Sequence, residues 1–215
     1  MARTQEQRKA DTRSRLLAAA SDLFARRGFH AVSTEAVADA ADRTTGAVYS
    51  HFGGKEGLLL ALAEAGETMA AVQVGDALDA ADDLEGRLAA LWTAFVASSD
   101  EGAPAWMLLE HELWLYAARN PEAAPGLAHR YDGVRNVMAG AFKQWADESG
   151  ATMTAPPRRT AALVLAMLLG LEMQRRVDPD AIPDDLAIEA LRVLFGLEPR
   201  ASRSRSTRRT TSAAG

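Results

Sequence analysis

An all-α protein is what this sequence predicts, and three observations predict it. Apolar residues recur at the three- and four-residue spacing that lines one face of a helix. No segment sustains the alternation of β-branched or aromatic side chains that builds strands. Gly, Pro and Asp breakers fall at helix-length intervals. With 48% hydrophobic and 25% charged residues in a chain of 215, the composition is globular and the length is ample for a core, which excludes disorder throughout.

The first helix is expected from about Thr12 to Arg27, with Leu16, Ala20, Leu23 and Phe24 on one face and Gly28 as its stop. Ser33 can cap a second short helix by accepting a backbone N–H, with Val37 and Ala41 inward. Asp42 and Arg43 then make a tight turn, Asp being tolerant of a left-handed backbone. Thr44 caps a third helix that ends near His51, before the breaker Gly53-Gly54. A long fourth helix begins at Lys55 and reaches about Val74. Further helices are expected at about 84–98, 104–119, 121–148, 157–177 and 184–195, the third of these with Pro125 or Tyr131 as candidate break points. Pro104, Pro121 and Pro157 sit near first turns, where a missing N–H costs little. The tail from Arg200 has no large apolar residue to anchor it and is expected to be disordered.

Several function classes fall away on composition. The longest near-continuous apolar run, Ala161 to Leu171, is too short to cross a bilayer, so no membrane partner is expected. The start, Met1 to Lys9, has positive charges but no apolar segment after them, which does not make a secretory signal and leaves the cytoplasm as the default location. Zero Cys excludes disulfides, thiolate metal sites, zinc fingers and a Cys nucleophile. The net charge of -5 hides a split: residues 1–55 carry nine Lys and Arg against six Asp and Glu, residues 56–198 carry ten against 23, and residues 199–215 carry five against none. Basic ends around an acidic body suit a polyanion at the ends, or a solvated surface with a basic tail.

Two short helices joined by a tight turn, the second reading Thr44-Thr45-Gly46-Ala47-Val48-Tyr49-Ser50-His51-Phe52, have the dimensions of a helix-turn-helix. Val48 and Phe52, four apart, face a small core, leaving Thr45, Ala47, Tyr49, Ser50 and His51 variously outward, where a major groove could be read. An ordinary three-helix bundle with a polar surface shares that pattern. At these residues the chain resembles the TetR family of bacterial regulators. The resemblance covers about Arg13 to Leu60 and is carried by Leu16 to Phe24, Arg27-Gly28-Phe29, Ser33 with Val37-Ala38, Gly46 to Phe52 and Lys55-Glu56-Gly57-Leu58-Leu59. The chain departs from the family pattern at Asp42 and Arg43, where Gly and an apolar residue are usual.

The resemblance implies that Thr44 caps the recognition helix and touches a phosphate, that Thr45 and Ala47 approach base edges, and that Tyr49 and His51 contact backbone or bases. Gly46 allows close approach, Ser33 and Ser50 belong to the same surface, and the position of Arg43 permits a phosphate contact. Lys55 completes the set, since free N–H groups, the helix dipole and an ammonium favour one phosphate there. For Tyr49 a half-buried ring between the third and fourth helices stays open as the alternative. Small side chains at 45, 47 and 50 point to specificity from thymine methyls and DNA shape.

The remaining signals are weaker. Gly53-Gly54-Lys55 lacks the earlier Gly and the following Ser or Thr of a nucleotide-binding loop, and Glu110-His111-Glu112 lacks a second His at helical spacing, so no cofactor and no metal are expected. Trp92, Trp106, Trp114 and Trp145 cluster in sequence with Phe95, Met107, Tyr116, Met138 and Phe142. Such residues serve either a core or a cavity; the resemblance implies a ligand cavity between these helices, lined by Trp92, Phe95, Trp106, Trp114, Met138, Phe142 and Met167. Glu110, His111 and Glu172 are its expected polar groups, for a largely apolar effector or one bearing an amine. The segment 161–171 is apolar nearly all round and needs burial on more than one face. The resemblance implies a homodimer in which the last two helices pair with their copies through Leu165, Leu168, Leu169, Leu191, Leu194 and Phe195.

The expected organisation is a DNA-binding unit at 1–55, a ligand-binding and dimerisation body at 56–198 and a basic tail at 199–215. The fourth helix is expected to be the only direct link between unit and body. The function this predicts is a homodimeric, non-enzymatic regulator, a repressor that leaves double-stranded operator DNA when a small molecule binds. An all-helical enzyme or carrier, and a ligand-independent DNA-binding protein, are the alternatives.

Overall fold

The computed structural model describes residues 4–97 and 106–198. Among the described residues there are nine α-helices and no strand: α1 (Gln5–Arg27), α2 (Thr34–Ala40), α3 (Thr45–Phe52), α4 (Lys55–Asp79), α5 (Leu84–Ala97), α6 (Trp106–Arg119), α7 (Ala124–Ser149), α8 (Pro157–Val177) and α9 (Asp184–Leu194). The expected helix ends at 98 and 104, and the tail from 199, lie outside the described residues. α1 starts at Gln5 rather than Thr12 because Thr4 and Gln7 cap it reciprocally: Thr4 Oγ1 accepts from Gln7 N–H at 3.2 Å and Gln7 Oε1 from Thr4 N–H at 2.9 Å. α7 passes through Tyr131 without a break, and Pro125 stands in its first turn, where an intrahelical N–H is not needed.

Two hydrophobic cores organise the chain. The first gathers Leu16, Ala20 and Phe24 of α1, Val37 and Ala38 of α2, Val48 of α3 and Leu58, Leu59 and Leu62 of α4, and continues without interruption into Leu109 and Leu113 of α6 and Leu127 and Tyr131 of α7. The second joins Leu88 and Trp92 of α5, Phe142 and Trp145 of α7, Ala161, Val164 and Leu168 of α8, and Leu191 of α9 with Phe195 beyond it. Trp92 is anchored in it by a hydrogen bond from Nε1 to Asp184 Oδ1 at 2.8 Å, so its one polar atom is satisfied.

α3 meets α4 at unusually close range. A Cβ at Gly57 would stand 1.7 Å from the Phe52 carbonyl oxygen, so only glycine lets the first turn of α4 lie against the end of α3. This seats the start of α4 beside the C-terminal end of α3.

Candidate nucleic-acid interface

Each helix of the pair α2 and α3 is started by its own side-chain cap. Ser33 Oγ accepts from Ala36 N–H at 3.2 Å and Thr44 Oγ1 from Ala47 N–H at 3.3 Å. Between them Asp42 has φ 54, the one non-glycine with positive φ among the described residues, which supplies the left-handed step that Gly would otherwise provide. Arg43 does not point away: its guanidinium donates to Asp11 Oδ2 at 3.1 Å and to Thr12 Oγ1 at 3.3 Å, tying the turn to α1. That clamp replaces the apolar contact usual at this position in the family it resembles.

Val48 is fully buried and Phe52 half-buried under the Arg13 guanidinium, 4.7 Å from its ring centroid. Away from the core α3 exposes Gly46, Tyr49 and Ser50, with Thr45 half-exposed and Ala47 partly buried against the first core. Tyr49 is 55% exposed, its ring lying beside Gly54 at the start of α4 and the rest open to solvent. Ser50 Oγ donates to the Ala47 carbonyl at 3.1 Å, and the His51 ring tilts against Phe52 at 6.1 Å. Beside this face lies an open concavity of about 410 Å³ lined by His30, Ser33, Thr34, Tyr49, Gly53, Gly54, Lys55 and Glu56. α4 begins there with no side-chain cap, so its first N–H groups have no side chain to satisfy them. Lys55 Nζ donates to the Phe29 carbonyl at 3.0 Å and sits 4.4 Å from the Phe29 ring centroid, leaving two of its three N–H donors. His30 and Thr34 escaped the sequence reading; their signal was their place on either side of the Ser33 cap. At the same helix start the Glu35 carboxyl is held below the usual carboxylate range, first by its own backbone N–H and then by the Ser33 hydroxyl.

Capped helix, left-handed turn and polar outer face make up a helix-turn-helix, and two family models match it and its continuation. Residues 16–62 match the model of bacterial regulatory proteins of the tetR family, and residues 84–195 match the C-terminal model of BetI-type transcriptional repressors. The chain belongs to the TetR family. As a member it is a DNA-binding transcriptional regulator and not the enzyme or carrier considered as an alternative. Among solved structures, a Rhodococcus sp. RHA1 protein described as a transcriptional regulator aligns with a TM-score of 0.73 at 19% identity, over 86% of this chain and 95% of that one. Salmonella enterica GusR aligns at 0.69 and 24% identity, over 86% and 95%. AibR, solved with isovaleryl coenzyme A and operator DNA, aligns at 0.63 and 22%, over 87% and 100%. At such identities the likeness is one of fold. None of the curated proteins compared with this chain matches it significantly.

In the TetR-type body the expected cavity residues fall into two groups. Trp92, Phe95, Met138, Phe142 and Met167 converge in or against the second core. Glu110 and Trp114 belong to a separate network: the Tyr131 hydroxyl donates to Glu110 Oε1, Arg130 Nη2 to Glu110 Oε2 at 3.0 Å, and Trp114 Nε1 to the Tyr131 oxygen at 2.6 Å. Trp114 is 42% exposed, so it rims this network and is not enclosed by it. His111 Nδ1 lies 2.7 Å from the Met107 carbonyl, a bond within its own helix, and buried Glu172 is paired with Arg176. The Trp106 side chain lies outside the described residues. Both acids thus carry an Arg.

The expected interface residues divide by burial. Leu168, Leu191 and Phe195 are at most 1% exposed and pack in the protomer's own second core, so no partner can reach them. Leu165 and Leu169 are half-buried against the first core, and Leu194 against the second. The apolar side chains that α8 and α9 leave outside are Leu163 and Val177, and Leu186 and Val193. Among the described residues no helix is long and apolar enough to cross a membrane.

Proposed function

We propose that the protein is a homodimeric repressor that holds a near-palindromic operator through α3 and the start of α4, and releases it when a small, largely apolar molecule enters the body. The observation that carries this reading is the placing of exposed Tyr49 and the small outer face of α3 next to Lys55 at an uncapped helix start. On B-form DNA, Thr45, Gly46, Ala47 and Ser50 suit close approach to base edges, with Tyr49 and Lys55 toward the flanking backbone. Thr44 caps its helix through its hydroxyl oxygen and keeps its O–H to donate to a phosphate, and Arg43 acts by holding the turn.

Members of this family bind operator DNA and small-molecule effectors as dimers. AibR, captured with both an acyl-coenzyme A and operator DNA, shows that this fold can serve both partners in one chain. For the present chain the apolar side chains about Trp92 and Phe142, with Glu110 and Glu172 already neutralised, favour an uncharged effector. Selection of bound duplexes from a random pool tests the reading. Enrichment of two inverted half-sites about one helical turn, or a multiple of it, apart supports it. Recovery of no sequence above background overturns it.

A further inference from the structure

The fourth helix is not the only bridge between DNA reader and body. α6 also packs against both α1 and α4, and one face of it grips the loop between α1 and α2. Glu112 Oε1 accepts the Phe29 N–H at 3.3 Å, the Tyr116 ring meets the Phe29 ring edge-on at 6.1 Å, and Arg119 Nη1 stands 3.5 Å from His30 Nε2. Residues 112, 116 and 119 share a face at helical spacing. Gly28, just before Phe29, takes a φ of +77 that favours glycine and so sets the course of the loop that Glu112 reaches.

Phe29 is fixed from the other side as well, because its carbonyl and its ring face both hold the Lys55 ammonium. A continuous line of contacts therefore runs from the α6 carboxylate through one buried residue to the cation at the start of α4. We propose that Glu112 is a positioning residue for DNA binding, acting on Lys55 through the backbone and ring of Phe29. Without the Glu112 carboxylate the Phe29 N–H loses its side-chain acceptor, and the carbonyl and ring that aim the Lys55 ammonium lose that anchor. His30, the next residue, lines the same concavity as Lys55, so the shape of that concavity moves with the loop. The same helix carries Glu110 into the network with Arg130 and Tyr131 of α7, and Arg130 also donates to the Ala63 carbonyl of α4 at 3.4 Å. A change among α6 and α7 thus has a short path to the DNA face.

The proposal rests on the DNA-binding role of Lys55, and a double-mutant cycle separates the two. On a duplex recovered by selection, Glu112→Ala is expected to weaken binding about 5- to 20-fold, within the usual range for coupled sites, and to make the salt dependence shallower by about one unit. Glu112→Gln, whose amide oxygen still accepts the Phe29 N–H, should bind as wild type. In a Lys55→Ala background, Glu112→Ala should add little. Should Glu112→Ala fail to fold, Glu112→Asp, one methylene too short to reach Phe29, serves in the same cycle. Wild-type affinity and salt slope in a folded Glu112→Ala or Glu112→Asp dimer, or effects additive with Lys55→Ala, overturn the proposal. Wild-type binding by Lys55→Ala itself overturns instead the reading on which it rests.

Discussion

Lys55 joins a buried carbonyl, an aromatic face and an open concavity, where the proposed function has its remaining donors meet a phosphate. Lys55→Ala should weaken binding to every duplex alike and reduce the salt slope by about one, whereas Thr45→Ala should change preference at one or two base pairs of each half-site. Anisotropy titrations at several salt concentrations, on selected and scrambled duplexes, distinguish the two. Tyr131 gives a prediction of another kind. Burial first, and then the Glu110 charge and hydrogen bond, push its phenol far above the ordinary tyrosine range. Above about pH 10 the unfolded chain releases this proton and the folded chain keeps it, so the stabilisation is complete below that pH and lost as pH rises past it. Urea midpoints at about pH 9 and about pH 11 should therefore fall more steeply for wild type than for Tyr131→Phe, and parallel declines would count against the assignment.

At the scale of elements, caps and stops were legible in the sequence because each is a local chemical event: Ser33, Thr44, Gly28 and Gly53 all stand where expected. The start of α1 was not, since its first two turns are polar and only the Thr4–Gln7 pairing marks them. The α8 and α9 surface was only partly legible, for a different reason. Burial inside a protomer and burial between protomers select the same leucines, and only the fold separates Leu168 from Leu163. The tryptophans were ambiguous for a similar reason, as apolarity does not say which of two cores a ring joins. Leu163→Arg combined with Val193→Arg should give folded monomers, while Leu168→Arg should unfold the chain by placing a charge in a dry core. Sedimentation and circular dichroism together separate these outcomes; a folded double-variant dimer would move the interface elsewhere. Gly57→Ala should separate α3 from α4, reducing both stability and DNA affinity, because its Cβ has no room beside the Phe52 carbonyl.

For the molecule as a whole, repression and release are one equilibrium seen from two ends. A ligand can lower operator affinity only by the factor by which operator lowers its own, and a coupling of about 1 to 3 kcal/mol corresponds to about 5- to 150-fold. Compounds found by saturable quenching of tryptophan fluorescence should therefore bind more weakly with operator present, by the same factor that they weaken DNA binding. Pocket ligands indifferent to saturating operator would disconnect the body from regulation.

The first core, which runs without a gap from Leu16 of α1 to Tyr131 of α7, bears on how such a protein can be recombined. A chimera cut at residue 55 would carry Leu16, Phe24 and Val48 away from Leu58, Leu59 and Leu109, transplanting half of a packed interior. The exchangeable unit in this chain is larger than its DNA-reading helices. A new specificity is more safely grafted as individual side chains at Gly46, Tyr49 and Ser50, exposed positions of α3 outside the shared interior, than as a module.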